Sequence, residues 1–257
     1  MIVTFSINIE VPFILFQTRP SMRPFLLRYY ARMQERYPSV LWHGDASRRA
    51  VALTFDDGPH LRDTPRVLNV LAKHDVHATF HLVGKYAVQT HDLVEEISQR
   101  GHQLALHCYR HIPFPLESAS TLRMHLDLTR NIISQAGGIS PETIKDLRPP
   151  YGAFSERNLA NLNAWGYRLV MWTCLPRHWM QPASLSIRQV MESIVPGAVI
   201  VLHDGHGHGR RVAEILEAVV PRIKSLGYEF VTVGELWQQR AQASAVREAE
   251  LKSGLHL

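Results

Sequence analysis

Ala50-Val-Ala-Leu-Thr-Phe-Asp-Asp-Gly-Pro59 opens as an apolar run and closes on two adjacent carboxylates and a turn. The run Ala50 to Leu53 reads as a buried strand. Gly58 and Pro59 stop it directly after the acids. Two like charges side by side ionise together only when something positive neutralises them. A strand that ends on Asp56 and Asp57 is therefore suited to hold a cation, a proton, or both. A helix cap or surface turn is the plainer use of such a pair, and the rest of the chain decides between them.

Working outward, strand-like runs recur at 49–55, 78–83, 103–107, 146–149, 168–173, 198–203 and 229–233. Helical periodicity falls between them, at 64–74, 91–100, 118–136, 156–165, 186–195 and 211–226. Ser155 and Ser186 read as N-caps, and Gly101, Gly166 and Gly227 as stops. Seven βα units in series predict an α/β fold with a parallel sheet wrapped by helices. An open doubly wound sheet would gather its polar residues at one crevice. Here they recur at successive strand ends: Asp56 and Asp57, His107, Arg148, then His203 and Asp204. That distribution favours a closed or nearly closed barrel. The division expected is an N-terminal extension at 1–48, a catalytic domain at 49–240 and a tail at 241–257.

The chain has 257 residues, 46% hydrophobic and 20% charged, enough for one large core. Its net charge of +5 is scattered, with no basic block interleaved with aromatics, so nucleic acid is not an expected partner. Residues 1–17 are apolar but lack a basic n-region and a small-residue cleavage site, and Glu10 and Pro12 interrupt them. Phe25, Leu26, Tyr29, Tyr30 and Met33 then recur at helical spacing among arginines. Such a stripe packs on a domain or lies on an anionic membrane or cell wall. Cys108 and Cys174 have no CxxC partner, which excludes a thiolate zinc knuckle.

His107-Cys-Tyr-Arg-His111 places two imidazoles at i and i+4, one face of a helical turn and a suitable bite for one ion. With an acidic strand end, this predicts a two-histidine, one-carboxylate centre with positions left open, as catalytic sites have. Zinc is the default for these ligands; cobalt, nickel and iron also fit.

From 49 to 237 the chain resembles the polysaccharide deacetylases, the metal-dependent superfamily of chitin, chitooligosaccharide and peptidoglycan deacetylases. The resemblance rests on Thr54-Phe-Asp-Asp-Gly-Pro59, His107-x-x-x-His111, Arg148-Pro-Pro-Tyr151 and Leu202-His-Asp204, in the family's order. It implies a distorted (β/α)7 barrel acting on an N-acetylated glycan, and a cell-envelope setting. By resemblance, Asp57, His107 and His111 bind the divalent metal. Asp56 is the general base toward the attacking water, His203 the general acid, and Arg148 orients Asp56. Tyr151 lines the groove and offers its backbone N–H to the oxyanion, while Trp179 and Leu202 enclose the acetyl methyl.

One stretch departs from the family. Trp172-Thr-Cys-Leu-Pro-Arg-His-Trp179 carries Leu175 and His178 where two aspartates are usual. His178 is expected beside Arg148, as a weaker partner than the usual carboxylate. Removal of a formyl or other acyl group from a lipid-linked sugar therefore remains open beside deacetylation. So does a binding module without turnover, although such a module needs neither Asp56 nor His203. The remaining histidines, His81 among them, read as surface or packing residues, with His206 and His208 on a mobile loop.

Overall fold

The computed structural model describes residues 23–205, 207 and 209–253. Strand β1 (Ala50–Asp56) is buried along its whole length, as its apolar run requires. Then come β2 (Thr79–Leu82), β3 (Gln103–Leu106), β4 (Asp146–Leu147), β5 (Arg168–Leu169), β6 (Val199–His203) and β7 (Glu229–Phe230). All seven runs expected from sequence form strands, and every pairing is parallel. The order is β5-β4-β3-β2-β1-β6, with β7 off this path against the start of β1. Beyond β5 the chain reaches an isolated bridge between Cys174 and Ile200 of β6. The sheet thus curls until its ends touch at one bridge, which is the distortion of the barrel.

The helices are α1 (Arg23–Arg36), α2 (Thr64–Lys73), α3 (Gly84–Ala87), α4 (His91–Gln99), α5 (Ala119–Gly137), α6 (Glu156–Ala164), α7 (Ala183–Glu192), α8 (Gly209–Ser225) and α9 (Val233–Ser253). Ser155 caps α6 in a reciprocal box with Asn158. Ser186 caps nothing: α7 begins three residues before it, after Pro182, and Ser186 is buried within the helix. Helix α3 has four residues, too few for periodicity to announce it.

Part of the expected extension enters the core. Val40, Leu41 and Trp42 are buried. The Leu41 N–H donates to the Leu169 carbonyl at 2.9 Å, and the Met171 N–H to the Leu41 carbonyl at 2.8 Å. Met33 of the amphipathic stripe is buried as well. Helix α9 runs continuously through residue 240. The apolar stretch at 1–17, His206 and His208 lie outside the described residues. Among the described residues no helix is long and apolar enough to cross a membrane.

Candidate active site

Parallel strands deliver their last residues to one end of the barrel. In register, Asp56 pairs with His81 of β2 on one side and His203 of β6 on the other. Three polar side chains therefore share one row across three strands; Asp56 and His203 line a cavity of about 320 Å³, and His81 lies buried behind Asp56. Asp57, Cys108 and Tyr151 then take left-handed backbone angles, with φ of 71°, 80° and 59°. Non-glycine residues rarely do so, and such strain gathers where function over-determines the chain. Here each residue redirects the chain just past β1, β3 or β4.

The turn at Cys108 corrects one expectation. The stretch 107–111 is a bend, not a helical turn. It still brings the two imidazoles together, with ring centroids 5.1 Å apart. His107 Nε2 lies 3.3 Å and His111 Nε2 3.2 Å from Asp57 Oδ1. The ligand atoms of these three residues lie within 4.8 Å of one another.

Hydrogen bonding tests whether the trio suits a cation. His107 Nδ1 is 2.8 Å from the Arg148 carbonyl. A carbonyl only accepts, so Nδ1 carries the proton, and neutral His107 presents a lone pair at Nε2. That lone pair faces a carboxylate oxygen, and two acceptors this close need a positive charge between them. Burial favours neutral Asp57, yet the facing histidines hold its carboxyl far below the ordinary range. Burial pulls His107 down, but Asp56 and Asp57 outweigh it and raise its affinity for a proton. A site where a carboxylate and imidazole lone pairs converge and draw in a proton without metal fits a divalent ion with it.

Asp56 has a different environment. Arg148 Nη1 donates to its Oδ1 at 2.7 Å and to Thr54 Oγ1 at 2.8 Å. Arg148 Nη2 donates to the Met171 carbonyl at 3.0 Å. His81 Nδ1 sits 3.3 Å from the same Asp56 oxygen. Burial favours the neutral acid here too, but Arg148, His107 and His81 overcome it and keep Asp56 ionised. His81 is pushed down to about 4 by burial and by Arg148, so it is neutral near pH 7. Sequence reading placed His81 among surface and packing residues; it is fully buried in this network. The available signal was its position in an apolar strand that pairs with β1.

His203 lies across the cavity. Burial pulls its imidazole below the ordinary value, against the pull of Asp57 and Asp56. His178 does not take the place expected beside Arg148; it stands against His203. The His203 backbone N–H donates to His178 Nε2 at 3.0 Å, so that nitrogen is an acceptor. His203 Nδ1 is 3.3 Å from the same atom and carries a hydrogen toward it. His178 thereby fixes the His203 tautomer and leaves Nε2 for the cavity.

Trp179 packs edge-on to His203 at 4.8 Å and lines the cavity. Tyr151 lines it too, its ring 4.5 Å from that of His111. Leu202 does not. Side chains alternate along a strand, so Val201 and His203 face the cavity and Leu202 faces away. Val201 and Leu175 supply the apolar wall assigned to Leu202. Asp204 was also given no role; it is fully buried, accepts from Thr64 Oγ1, and burial raises it to about 7.

Comparison with known proteins places this geometry. The family model for polysaccharide deacetylase matches residues 43–170. A peptidoglycan-N-acetylglucosamine deacetylase of Bacillus cereus is 32% identical over 206 residues, covering 79% of this chain and 74% of that protein. A chitooligosaccharide deacetylase of Bradyrhizobium sp. (strain ANU 289) is 32% identical over 208 residues, covering 76% of this chain and 94% of that one. In three dimensions the chain is similar to the crystal structure of a peptidoglycan N-acetylglucosamine deacetylase in complex with an N-oxidanyl-benzamide. That likeness has a TM-score of 0.74 at 30% identity and covers 78% of this chain and 93% of that one.

Proposed function

The chain belongs to the polysaccharide deacetylase family, and from that premise we propose that it hydrolyses the acetamide of an N-acetylated sugar in a glycan. One observation carries the reading: the adjacent carboxylates are separated by environment. Asp57 faces two histidine nitrogens, while Asp56 is held ionised by Arg148. Paired groups with different surroundings take different chemical roles.

Asp57, His107 and His111 would hold a divalent ion, zinc by ligand type. When bound, that ion would polarise the acyl carbonyl and acidify the attacking water. Asp56 Oδ1 is engaged by Arg148, and its second oxygen takes the water's proton. The Tyr151 backbone N–H donates to the carbonyl oxygen as negative charge develops there. His203 delivers a proton from Nε2 to the departing amine nitrogen, a poor leaving group without it. Trp179, Leu175 and Val201 enclose the acyl methyl, and Leu175 makes that wall wholly aliphatic on one side. Retention of Asp56 and His203 favours turnover over a binding module, since binding alone needs neither.

The test is release of acetate, with formate followed in parallel, from chitooligosaccharides, peptidoglycan fragments and acetylxylan, with and without chelator. Chelator-sensitive acetate release is expected. Formate alone, from a formylated sugar, would transfer the site to the other acyl group. Elemental analysis of Asp57→Ala and His107→Ala should show stoichiometric metal lost in each. Full metal content in both would remove the ligand assignment.

His178→Asp has a signed expectation. A carboxylate against His203 Nδ1 favours the imidazolium, whereas neutral His178 does not. The acid must be protonated to act, so the alkaline limb of the pH–rate profile should move to higher pH in the mutant. An alkaline limb that stays in place would show that His203 is not the proton donor.

A further inference from the structure

The connections after the strands emerge at the end where the cavity opens. Among the described residues they carry protruding aliphatic side chains: Leu61 after β1 is 73% exposed, Leu116 after β3 61%, and Met180 after β5 65%. Exposed cations stand among them: Arg62, Lys85, Arg110 and, at the start of α8, Arg210. Several acids of this end are withdrawn, while Asp92 at the start of α4 and Glu156 at the start of α6, paired with Arg36, stay exposed. Asp63 is buried against His60 and Arg66, Glu117 is held by His125, and Asp204 is buried beside Thr64. The opposite end of the barrel mixes exposed acids, at Asp75, Glu142 and Glu229, with exposed cations such as Arg48 and Lys145.

A single exposed leucine is ordinary on a soluble protein. Three aliphatic tips on three separate loops at one end, set among cations that outnumber the exposed acids there, form a two-component surface. Its aliphatic part gains nothing from the hydroxyls of a polysaccharide but does gain from hydrocarbon. Its cationic part is attracted to lipid phosphates.

We propose that this face docks on an anionic phospholipid bilayer, with Leu61, Leu116 and Met180 entering the headgroup boundary and the arginines on lipid phosphates. The cavity then opens toward sugars carried at the membrane surface. This deepens the deacylase reading and rests on it for the nature of the sugar, while the docking itself is tested without turnover.

The full chain is sedimented with phosphatidylcholine vesicles, with and without phosphatidylglycerol. Binding is expected to the anionic vesicles and to weaken with salt. Each cation near such a surface contributes about fivefold to binding, so Arg62→Glu combined with Arg210→Glu should lower it by roughly tenfold or more. Leu61→Ser with Met180→Ser should remove the binding that survives high salt. Arg48→Glu with Lys145→Glu, on exposed residues preceding β1 and β4, should leave binding unchanged. Acetate release from a soluble chitooligosaccharide should be the same in all of these variants. Equal binding to neutral and anionic vesicles overturns the proposal, as does an equal loss in the control pair. Unchanged binding in both face variants would place the contact elsewhere, residues 1–22 included, and overturns it too. Capture by immobilised alginate without vesicle binding would assign the face to an acidic glycan instead.

Discussion

Asp56→Asn should retain its metal and lose activity by roughly 10²-fold or more, the contribution typical of a positioned general base. Asparagine keeps the size of the side chain and an oxygen that accepts from Arg148 Nη1, now 2.7 Å from Asp56. It loses the basic oxygen and the negative charge. The metal trio is built from Asp57, His107 and His111 and does not include Asp56, so metal content separates loss of the base from loss of the ion. The measurement is acetate release with elemental analysis on the same preparation. A near-wild-type rate would take the base role away from Asp56. His203→Ala should lose activity on a similar scale. The double mutant should fall little further than either single, because groups that act in one step do not add.

Much of the site was legible because its residues sit at strand ends, and strand ends can be read from apolar runs. What stayed hidden depended on which strand lies beside which. Asp56 and His81 are distant in sequence but are register partners on adjacent strands, and no periodicity within either strand reports that. His178 had the same difficulty. Its departure from the family pattern was visible, but its neighbour is set by the segment at 173–174, which crosses to β6 and brings residue 178 under His203. Leu202 was a parity error of one residue, and in a strand one residue exchanges the two faces. The histidine pair was found through a spacing that suits a helix. The backbone achieves the same convergence by another route, a left-handed Cys108, which sequence gives no reason to expect. The parallel α/β class and the strands' order of appearance were readable from alternation, and the barrel from polar residues recurring at strand ends; the sixfold ring with β7 set aside was not, since β7 is two residues long and its pairing is tertiary.

Arg148→Met should destabilise the protein by about 3–5 kcal/mol, the usual penalty for stranding one member of a buried ion pair. Arg148 is fully buried, and its guanidinium serves Asp56, Thr54 and the Met171 carbonyl together. Methionine fills much of the volume and answers none of these groups. The sign of the pH dependence follows from Asp56. In the wild type its carboxyl is held below the ordinary value, so it adds stability above about pH 4, lost as pH falls below that. Without Arg148 the burial effect is no longer countered by its principal opponent, and the folded state comes to favour the protonated acid. Acidification from neutrality then relieves the mutant at Asp56, a relief the wild type lacks, so the stability gap should narrow between pH 7 and pH 5. Activity should move the other way. A base that takes up a proton more readily is lost at higher pH, and the acid limb of the pH–rate profile should shift upward. Arg148→Lys keeps the charge but cannot reach three partners with a planar fork, so it should lie between. Denaturant unfolding at the two pH values, with a rate profile on the same variants, decides the matter. A gap that is constant with pH, together with an unmoved acid limb, would mean that Arg148 supports the fold without governing Asp56.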